Sequence, residues 1–120
     1  MSPFKGQTGL KRILNASGYS FDGLRAAFTG EAAFRQLVLL NVILIPLSFF
    51  LSVSRVERAL LIAVCLLALI VELLNSAVEA AIDRISLERH PLSKNAKDMG
   101  SAAQLVALTM IVLVWAVILL

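Results

Sequence analysis

Four acidic or amide side chains lie at regular intervals in the largely apolar segment VELLNSAVEAAID. They are Glu72, Asn75, Glu79 and Asp83, at spacings of 3, 4 and 4 residues. At 100° per residue, this spacing places all four on one narrow stripe of a helix, about 16 Å long. Because carboxylates accept protons and bind hard divalent cations, the stripe has the side chains of a general base and of metal ligands.

Such a stripe is unfavourable against lipid, since each acidic residue at the centre of a membrane costs roughly 2.5–3.5 kcal/mol on insertion scales. The stripe must therefore face protein, water or positive charge. A structural seam that joins helices through polar side chains is one interpretation. A functional site is the other, and its three carboxylates require compensation by Mg²⁺ or by basic side chains.

Further charged residues are expected at the same membrane face. Glu31 precedes the first apolar stretch. The other charged residues expected at this membrane face are Arg12, Arg84, Arg89, Lys97 and Asp98. Together they resemble the parts of a phosphoryl-transfer site. In such a site Glu31 and Glu79 hold Mg²⁺, while the less hydrated Glu72 accepts the proton of a hydroxyl nucleophile.

Several other classes of site are excluded. The chain has neither a G-x-x-x-x-G-K-[ST] loop nor a G-x-G-x-x-G motif, so it has no familiar soluble nucleotide site. Its single histidine, His90, excludes Ser-His catalysis and His-rich zinc sites. Cys65 is the single cysteine, so the sequence predicts no disulfide. The net charge of +3 comes from dispersed basic residues, which favour membrane lipids over nucleic acid as partners.

The composition indicates an all-α membrane protein. Of the 120 residues, 59% are hydrophobic and 16% are charged, against about 45–50% and about 25% in soluble domains. We predict a single domain, residues 1–120, with transmembrane helices at about 32–53, 56–85 and 96–120. Residues 1–30 are predicted to form an amphipathic region on the membrane surface.

Several boundaries follow from capping and turn signals. The surface region is expected to contain two short helices, separated by a turn at SGYS, with Ser20 as the N-cap of the second. Pro46 is expected to kink the first span. Pro91 is predicted to form a break within the polar connection that precedes the last span. Ser93 is expected to cap the helix of that span.

The distribution of lysine and arginine predicts the orientation. The N-terminal region has five of these residues and the second connection has four, whereas the first connection has only Arg55 and Arg58. Basic residues concentrate on the cytoplasmic side of membrane proteins. The N-terminus and the second connection are therefore predicted to be cytoplasmic.

The motifs resemble those of a known family. The segments that carry the likeness are GYSFDGLRAAF (18–28), GEAAFRQ (30–36), VELLNSAVEAAIDRIS (71–86) and HPLSKNAKDMGSAA (90–103). They are similar to the prokaryotic diacylglycerol kinases, which are small membrane enzymes with three spans. The likeness extends from about Thr8 to the C-terminus.

The resemblance implies transfer of the γ-phosphoryl group of MgATP to the hydroxyl of diacylglycerol, which gives phosphatidic acid. It implies a homotrimer in the bacterial inner membrane, with active sites shared between protomers at the cytoplasmic face. By the resemblance, Glu72 is the catalytic base, and Glu31 and Glu79 are the Mg²⁺ ligands. The implied ATP contacts are Arg12, Tyr19, Glu31, Glu79, Glu88, Arg89, His90, Lys97 and Asp98. The implied contacts with the lipid substrate are Ser17, Arg35, Gln36, Glu72, Asn75 and Ser101.

Three alternatives remain at this point. A sister group that phosphorylates undecaprenol usually has KD-x-A-A-G-A-V where this chain has KDMGSAAQ (97–104), which favours diacylglycerol. A small proton- or cation-coupled transporter would also use membrane carboxylates, but such transporters tend to have one deep acidic residue. A non-catalytic assembly subunit accounts for the spans but not for the stripe. Asp83 is expected to be structural.

Overall fold

The computed structural model describes residues 8–120, and this part of the chain is helical without any strand. The four helices are α1 (Gly9–Gly30), α2 (Ala32–Ser48), α3 (Arg55–Ile85) and α4 (Pro91–Leu119). The predicted all-α class is confirmed. Residues 1–7 of the predicted surface region lie outside the described range.

Helix α1 is continuous, so the prediction of two short helices with a turn at SGYS is wrong. Thr8 caps its beginning, and the Thr8 side chain accepts a hydrogen bond of 3.3 Å from the Lys11 backbone N–H. Ser20 is not an N-cap, because its hydroxyl donates to the Ala16 carbonyl at 2.9 Å. Ser17 donates in the same way to the Ile13 carbonyl. Such bonds to the carbonyl of residue i−4 keep serine inside a helix.

The chain bends by 105° between α1 and α2. Glu31, at the bend, has an extended backbone, and its N–H donates to the Ala27 carbonyl at 2.9 Å. Arg35 reaches back from α2, and its Nη1 donates to the carbonyls of Phe28 at 2.7 Å and Thr29 at 3.2 Å. A cation on the last carbonyls of a helix satisfies unpaired acceptors and complements the helix dipole. Arg35 therefore stabilises the bend.

Helix α2 is shorter than the predicted 32–53 segment. It ends at Ser48, two residues after Pro46, where the N–H groups of Phe49 and Phe50 bond three residues back. These tighter bonds close the helix in a turn instead of extending it. Helix α3 then begins at Arg55 under a capping box in which Ser54 and Glu57 bond each other's backbone N–H groups.

Helix α4 begins five residues before the predicted start at 96, so neither the Ser93 cap nor the Pro91 break is correct. Pro91 is the first residue of the helix, where the missing N–H of proline carries no penalty. The cap is His90, whose Nδ1 accepts a hydrogen bond of 3.1 Å from the Leu92 N–H. The connection between α3 and α4 is therefore short, and the two helices pack antiparallel.

A small apolar core joins α2, α3 and α4. Its buried members are Leu37, Val64, Cys65, Ala68, Ala107 and Ile111. Asn41 is buried beside them, and its Nδ2 donates to the carbonyls of Leu37 at 2.9 Å and Cys65 at 3.2 Å. Trp115 Nε1 donates to the Leu61 carbonyl at 3.2 Å. These bonds fix α2 and α4 against α3.

The outer surfaces of the long helices are apolar. Helices α3 and α4 are each long and apolar enough to cross a membrane, and α1 with α2 would be a third span if the bent pair counts as one. Within their most apolar stretches, 33% of α3 and 11% of α4 is buried. Exposed apolar surface of this extent requires lipid or further chains around it. The chain is therefore a helical membrane protein.

Candidate active site between helices α3 and α4

The polar stripe on α3 becomes more exposed along the helix. Glu72 is buried, with 5% of its surface exposed, whereas Asn75 and Glu79 are half-buried and Asp83 is exposed. Glu72 and Asp83 both bond to side chains of α4. The stripe thus faces protein at both ends, and it runs from the middle of α3 to the connection between α3 and α4.

The buried end of the stripe is a carboxylate with an amide partner. Gln104 Nε2, on α4, donates to Glu72 Oε2 at 3.0 Å and to the Ala68 carbonyl at 3.3 Å. No role for Gln104 was predicted from the sequence, although a signal was present. It is a polar residue in an apolar stretch, and it lies two helical turns after Lys97 and therefore on the same face.

Close packing of α3 and α4 continues beside this pair. Gly100 lies against the Asn75 side chain, and a Cβ at position 100 would overlap with Asn75 Oδ1. Asn75 Oδ1 and Gln104 Oε1 are both buried, and neither accepts a hydrogen bond from the described residues. Buried acceptors are nearly always satisfied. The surroundings of Glu72 therefore fit a ligand that brings hydrogen-bond donors.

A charged cleft of about 680 Å³ lies where α3 ends and α4 begins. Five of the predicted ATP contacts line it, namely Glu88, Arg89, His90, Lys97 and Asp98. The short connection and the first turns of α4 bring these residues together. Their roles in binding remain predictions, but their grouping in one cleft is observed.

Ion pairs order the charges around this cleft. Lys97 Nζ lies 2.7 Å from Asp83 Oδ1, and the Glu79 carboxylate adds to the negative field at Lys97. Lys94 Nζ lies 2.6 Å from Asp98 Oδ2, four residues along the same helix. Asp83, expected to be structural, thus joins α3 to α4 across the cleft. Lys97 supplies part of the positive charge that the stripe requires.

Glu31 lies in a different place. It lines a second cleft, of about 550 Å³, with Leu73, Ser76 and Ala80 of α3. This face of α3 is rotated around the helix axis by about a quarter turn from the stripe that carries Glu79. The Glu31 carboxylate makes no capping hydrogen bond. Within residues 8–120, no group of three or more His, Cys, Asp or Glu side chains converges as a metal site.

The remaining predicted contacts do not line the α3–α4 cleft. Arg12 borders a shallow depression on α1 with Gly9 and Ala16. Tyr19, Gln36 and Ser101 are exposed on their helices. The side chains of Ser17 and Arg35 bond to carbonyls of α1. A single chain therefore assembles the Glu72 end and the charged cleft, but not the complete predicted set.

These features define a small helical membrane protein with a buried carboxylate and a charged surface cleft on the same helix pair. Residues 18–119 match the family model described as prokaryotic diacylglycerol kinase. The chain belongs to this family of lipid kinases.

Individual relatives agree with the family match. The chain is 81% identical to the diacylglycerol kinase of Pseudomonas aeruginosa over 119 residues, which cover 99% of this chain and 97% of the relative. It is 50% identical to the Haemophilus influenzae diacylglycerol kinase, over 90% of this chain and 92% of the relative. The Escherichia coli enzyme of the same name is 49% identical, over 93% of this chain and 92% of the relative.

Proposed function

We propose that the chain is an ATP-dependent diacylglycerol kinase, which transfers the γ-phosphoryl group of MgATP to the lipid hydroxyl and so forms phosphatidic acid. The observation that carries the proposal is the 81% identity over nearly the whole chain to a diacylglycerol kinase. The geometry supports it, because a buried carboxylate lies on the same helix pair as a charged cleft.

In this proposal Glu72 is the general base. Its carboxylate accepts the hydroxyl proton of diacylglycerol while the hydroxyl oxygen attacks the γ-phosphorus and the bond from that phosphorus to ADP breaks. Exposed apolar side chains on α3 and α4, such as Leu74, Val106 and Leu113, give the acyl chains a surface along which to approach. The burial of Glu72 excludes water, which would otherwise compete with the lipid hydroxyl.

The charged cleft is proposed to bind the nucleotide. Its volume of about 680 Å³ lies within the range of roughly 300–1,000 Å³ that is usual for small-molecule sites. Arg89 and Lys97 supply positive charge for phosphate groups, and His90 presents a ring at the rim. A nucleotide there would direct its phosphates along the stripe towards Glu72.

Glu31 and Glu79 are proposed to hold Mg²⁺ together with the phosphates of ATP. Their oxygen ligands fit this ion, which typically binds one or two carboxylates plus substrate phosphates. When bound, Mg²⁺ neutralises charge on the β- and γ-phosphates. Since Glu31 lies against a different face of α3 from the stripe that carries Glu79, we propose that the two carboxylates meet between protomers of a homotrimer.

The topology proposed for the chain has three spans, with α1 on the cytoplasmic surface of the bacterial inner membrane. The bent pair α1 and α2 supports this arrangement, since a 105° bend allows one helix to lie on the surface while the other enters the membrane. The excess of basic residues in α1 and at the α3–α4 connection supports a cytoplasmic site.

The decisive test is lipid phosphorylation by the purified protein in detergent–lipid micelles with [γ-³²P]ATP. We expect Mg²⁺-dependent labelling of diacylglycerol. Labelling of undecaprenol alone would reassign the substrate to that of the sister group. No labelling of either lipid would refute the kinase assignment and favour a transporter.

The same assay tests Glu72. Glu72→Gln should lower kcat by roughly 10²–10⁴-fold, the usual contribution of a general base, with little change in the apparent KM for ATP. Glu57→Gln makes the same substitution at the opposite end of α3, and we expect it to retain turnover. Near-normal kcat in Glu72→Gln would remove Glu72 from the role of base.

A further inference from the structure

Gln104 is the one residue between 8 and 120 whose side chain donates a hydrogen bond to Glu72. It reaches Glu72 from α4, at an N···O distance of 3.0 Å. The same nitrogen donates to the Ala68 carbonyl at 3.3 Å. Ala68 lies one helical turn before Glu72, so the amide is attached to the turn of α3 that carries the carboxylate.

The hydrogen-bond pattern fixes the orientation of this amide. A primary amide nitrogen has two N–H groups, and Gln104 Nε2 faces two acceptors, the Ala68 carbonyl and Glu72 Oε2. The reversed amide would place an oxygen against both of these acceptors. Gln104 is thus a donor to Glu72 in one defined geometry, and its Oε1 stays buried without a donor from the described residues.

We propose that Gln104 is a positioning residue for the phosphoryl-transfer reaction, which holds Glu72 Oε2 so that Glu72 Oε1 is presented to the substrate hydroxyl. This inference rests on the proposed role of Glu72 as the base. A base acts within about 2.6–3.2 Å of the proton that it accepts. A glutamate has three rotatable side-chain bonds, and a second hydrogen bond at its far oxygen restricts the carboxylate to one orientation.

The first test replaces Gln104 by methionine, which has a similar length but no donor. We expect kcat for diacylglycerol phosphorylation to fall about 10–100-fold, because a misplacement of about 1 Å at a reacting group has this order of effect. The apparent KM values for MgATP and diacylglycerol should remain close to wild type, since the amide acts on the base and not on either substrate. A purely structural role would not produce this division between kcat and KM.

Two further variants separate positioning from packing. Gln104→Asn keeps the amide but shortens the side chain by one methylene, so it loses the contact without placing an apolar group beside Glu72. It should fold and show the same loss of kcat. Trp115→Phe removes another α4 donor, the Nε1–H that bonds the Leu61 carbonyl. This control should lower thermal stability but leave kcat unchanged.

A double-mutant cycle completes the experiment. In the Glu72→Gln background, Gln104→Met should cause no further loss of kcat, because no base remains to be positioned. Full kcat in Gln104→Met and Gln104→Asn, with Glu72→Gln inactive, would overturn the positioning role and leave the proposed function intact. An undiminished loss in the double variant would also overturn it. High kcat in Glu72→Gln would overturn both the base and its positioning residue.

Discussion

The two ends of the polar stripe on α3 differ in exposure, and this difference separates the chemistry available to Glu72 from that available to Asp83. Glu72, at 5% exposed, is surrounded by the packed helices and bonds to one amide. Asp83 is exposed and forms an ion pair with Lys97, whose side chain is 43% exposed. Ion pairs of that exposure contribute roughly 0–1 kcal/mol to stability. Asp83 and Lys97 therefore matter more for the charge of the cleft than for the stability of the fold.

The sequence predicted the stripe on α3 and Lys97 among the charged residues near it, but not Gln104, which bonds to the buried Glu72. The spacing of Glu72, Asn75, Glu79 and Asp83 depends on helix geometry alone, so one sequence suffices to predict it. The partner of Glu72 depends on how α4 is positioned against α3, and the apolar pattern of α4 does not determine that position. The sequence signal for Gln104, a polar residue on the Lys97 face of α4, therefore did not show that it bonds to Glu72.

Gly100 gives a prediction about packing at the residue scale. Gly100→Ala should lower the free energy of unfolding by about 1–2 kcal/mol, because the new Cβ overlaps with the Asn75 side chain and overpacking is unfavourable. The intrinsic helix preference of alanine over glycine, about 1 kcal/mol, acts in the opposite direction. Unfolding of the detergent-solubilised protein by SDS titration measures the difference.

Two comparisons decide whether this overlap is the cause. Gly18 has no atom within 4 Å of an added Cβ, so Gly18→Ala should be neutral or stabilising. Asn75→Ala removes the overlapping group, and the Asn75→Ala/Gly100→Ala double variant should be more stable than Gly100→Ala. If Gly100→Ala were as stable as Gly18→Ala, the contact between α3 and α4 at this point would be looser than the structure indicates.

At the scale of whole elements, the helix boundaries were the least predictable feature. Glycines and serines in residues 17–23 indicated a turn, yet α1 continues through them because the Ser17 and Ser20 hydroxyls bond to carbonyls of the preceding turn. At α4, Pro91 was interpreted as a break, whereas it begins the helix. Glycine and serine occur both in turns and within helices, and proline occurs both at breaks and at the first position of a helix. Side-chain hydrogen bonds decide which of these structures forms.

The turn between α2 and α3 depends on one arginine. Arg58 Nε donates to the Ser48 carbonyl and Nη2 to the Leu51 carbonyl, each at 2.9 Å. Its guanidinium also lies 5.9 Å from the centre of the Phe49 ring. The bond to Ser48 satisfies a carbonyl at the end of α2 that the helix itself leaves unpaired, and the bond to Leu51 holds the connection that follows. Arg58 therefore determines how the chain leaves α2 and enters α3.

We predict that Arg58→Met lowers the free energy of unfolding by about 1–3 kcal/mol, since hydrogen bonds from a charged donor are lost. The kinase activity of the folded protein should not change, because Glu72 lies about 21 Å further along α3. Arg55→Met removes the same charge from an exposed position of the same turn and should have little effect. Equal destabilisation by both substitutions would show that net charge, and not the hydrogen bonds of Arg58, stabilises the turn.

For the whole molecule, composition predicted the helical membrane class, since 59% hydrophobic residues in long runs are incompatible with a soluble domain. The resemblance implied sites shared between protomers, but the sequence did not show which of the site residues one chain brings together. The structure groups Glu72, Gln104 and the charged cleft on α3 and α4, but it places Glu31 against another face of α3. In the proposed homotrimer, a second protomer is the simplest source of the proposed Glu31 ligand, since homo-oligomers present each surface repeatedly.

Subunit mixing tests this two-protomer site. Glu31→Gln and Glu72→Gln should each be nearly inactive alone, because one lacks a proposed metal ligand and the other lacks the proposed base. In a random one-to-one mixture, a site that takes Glu31 from one protomer and Glu72 from its neighbour is intact in about a quarter of cases. We therefore expect co-expressed or re-equilibrated variants to recover about a quarter of the wild-type specific activity. If each site lay within a single protomer, no mixture of the two variants would restore activity.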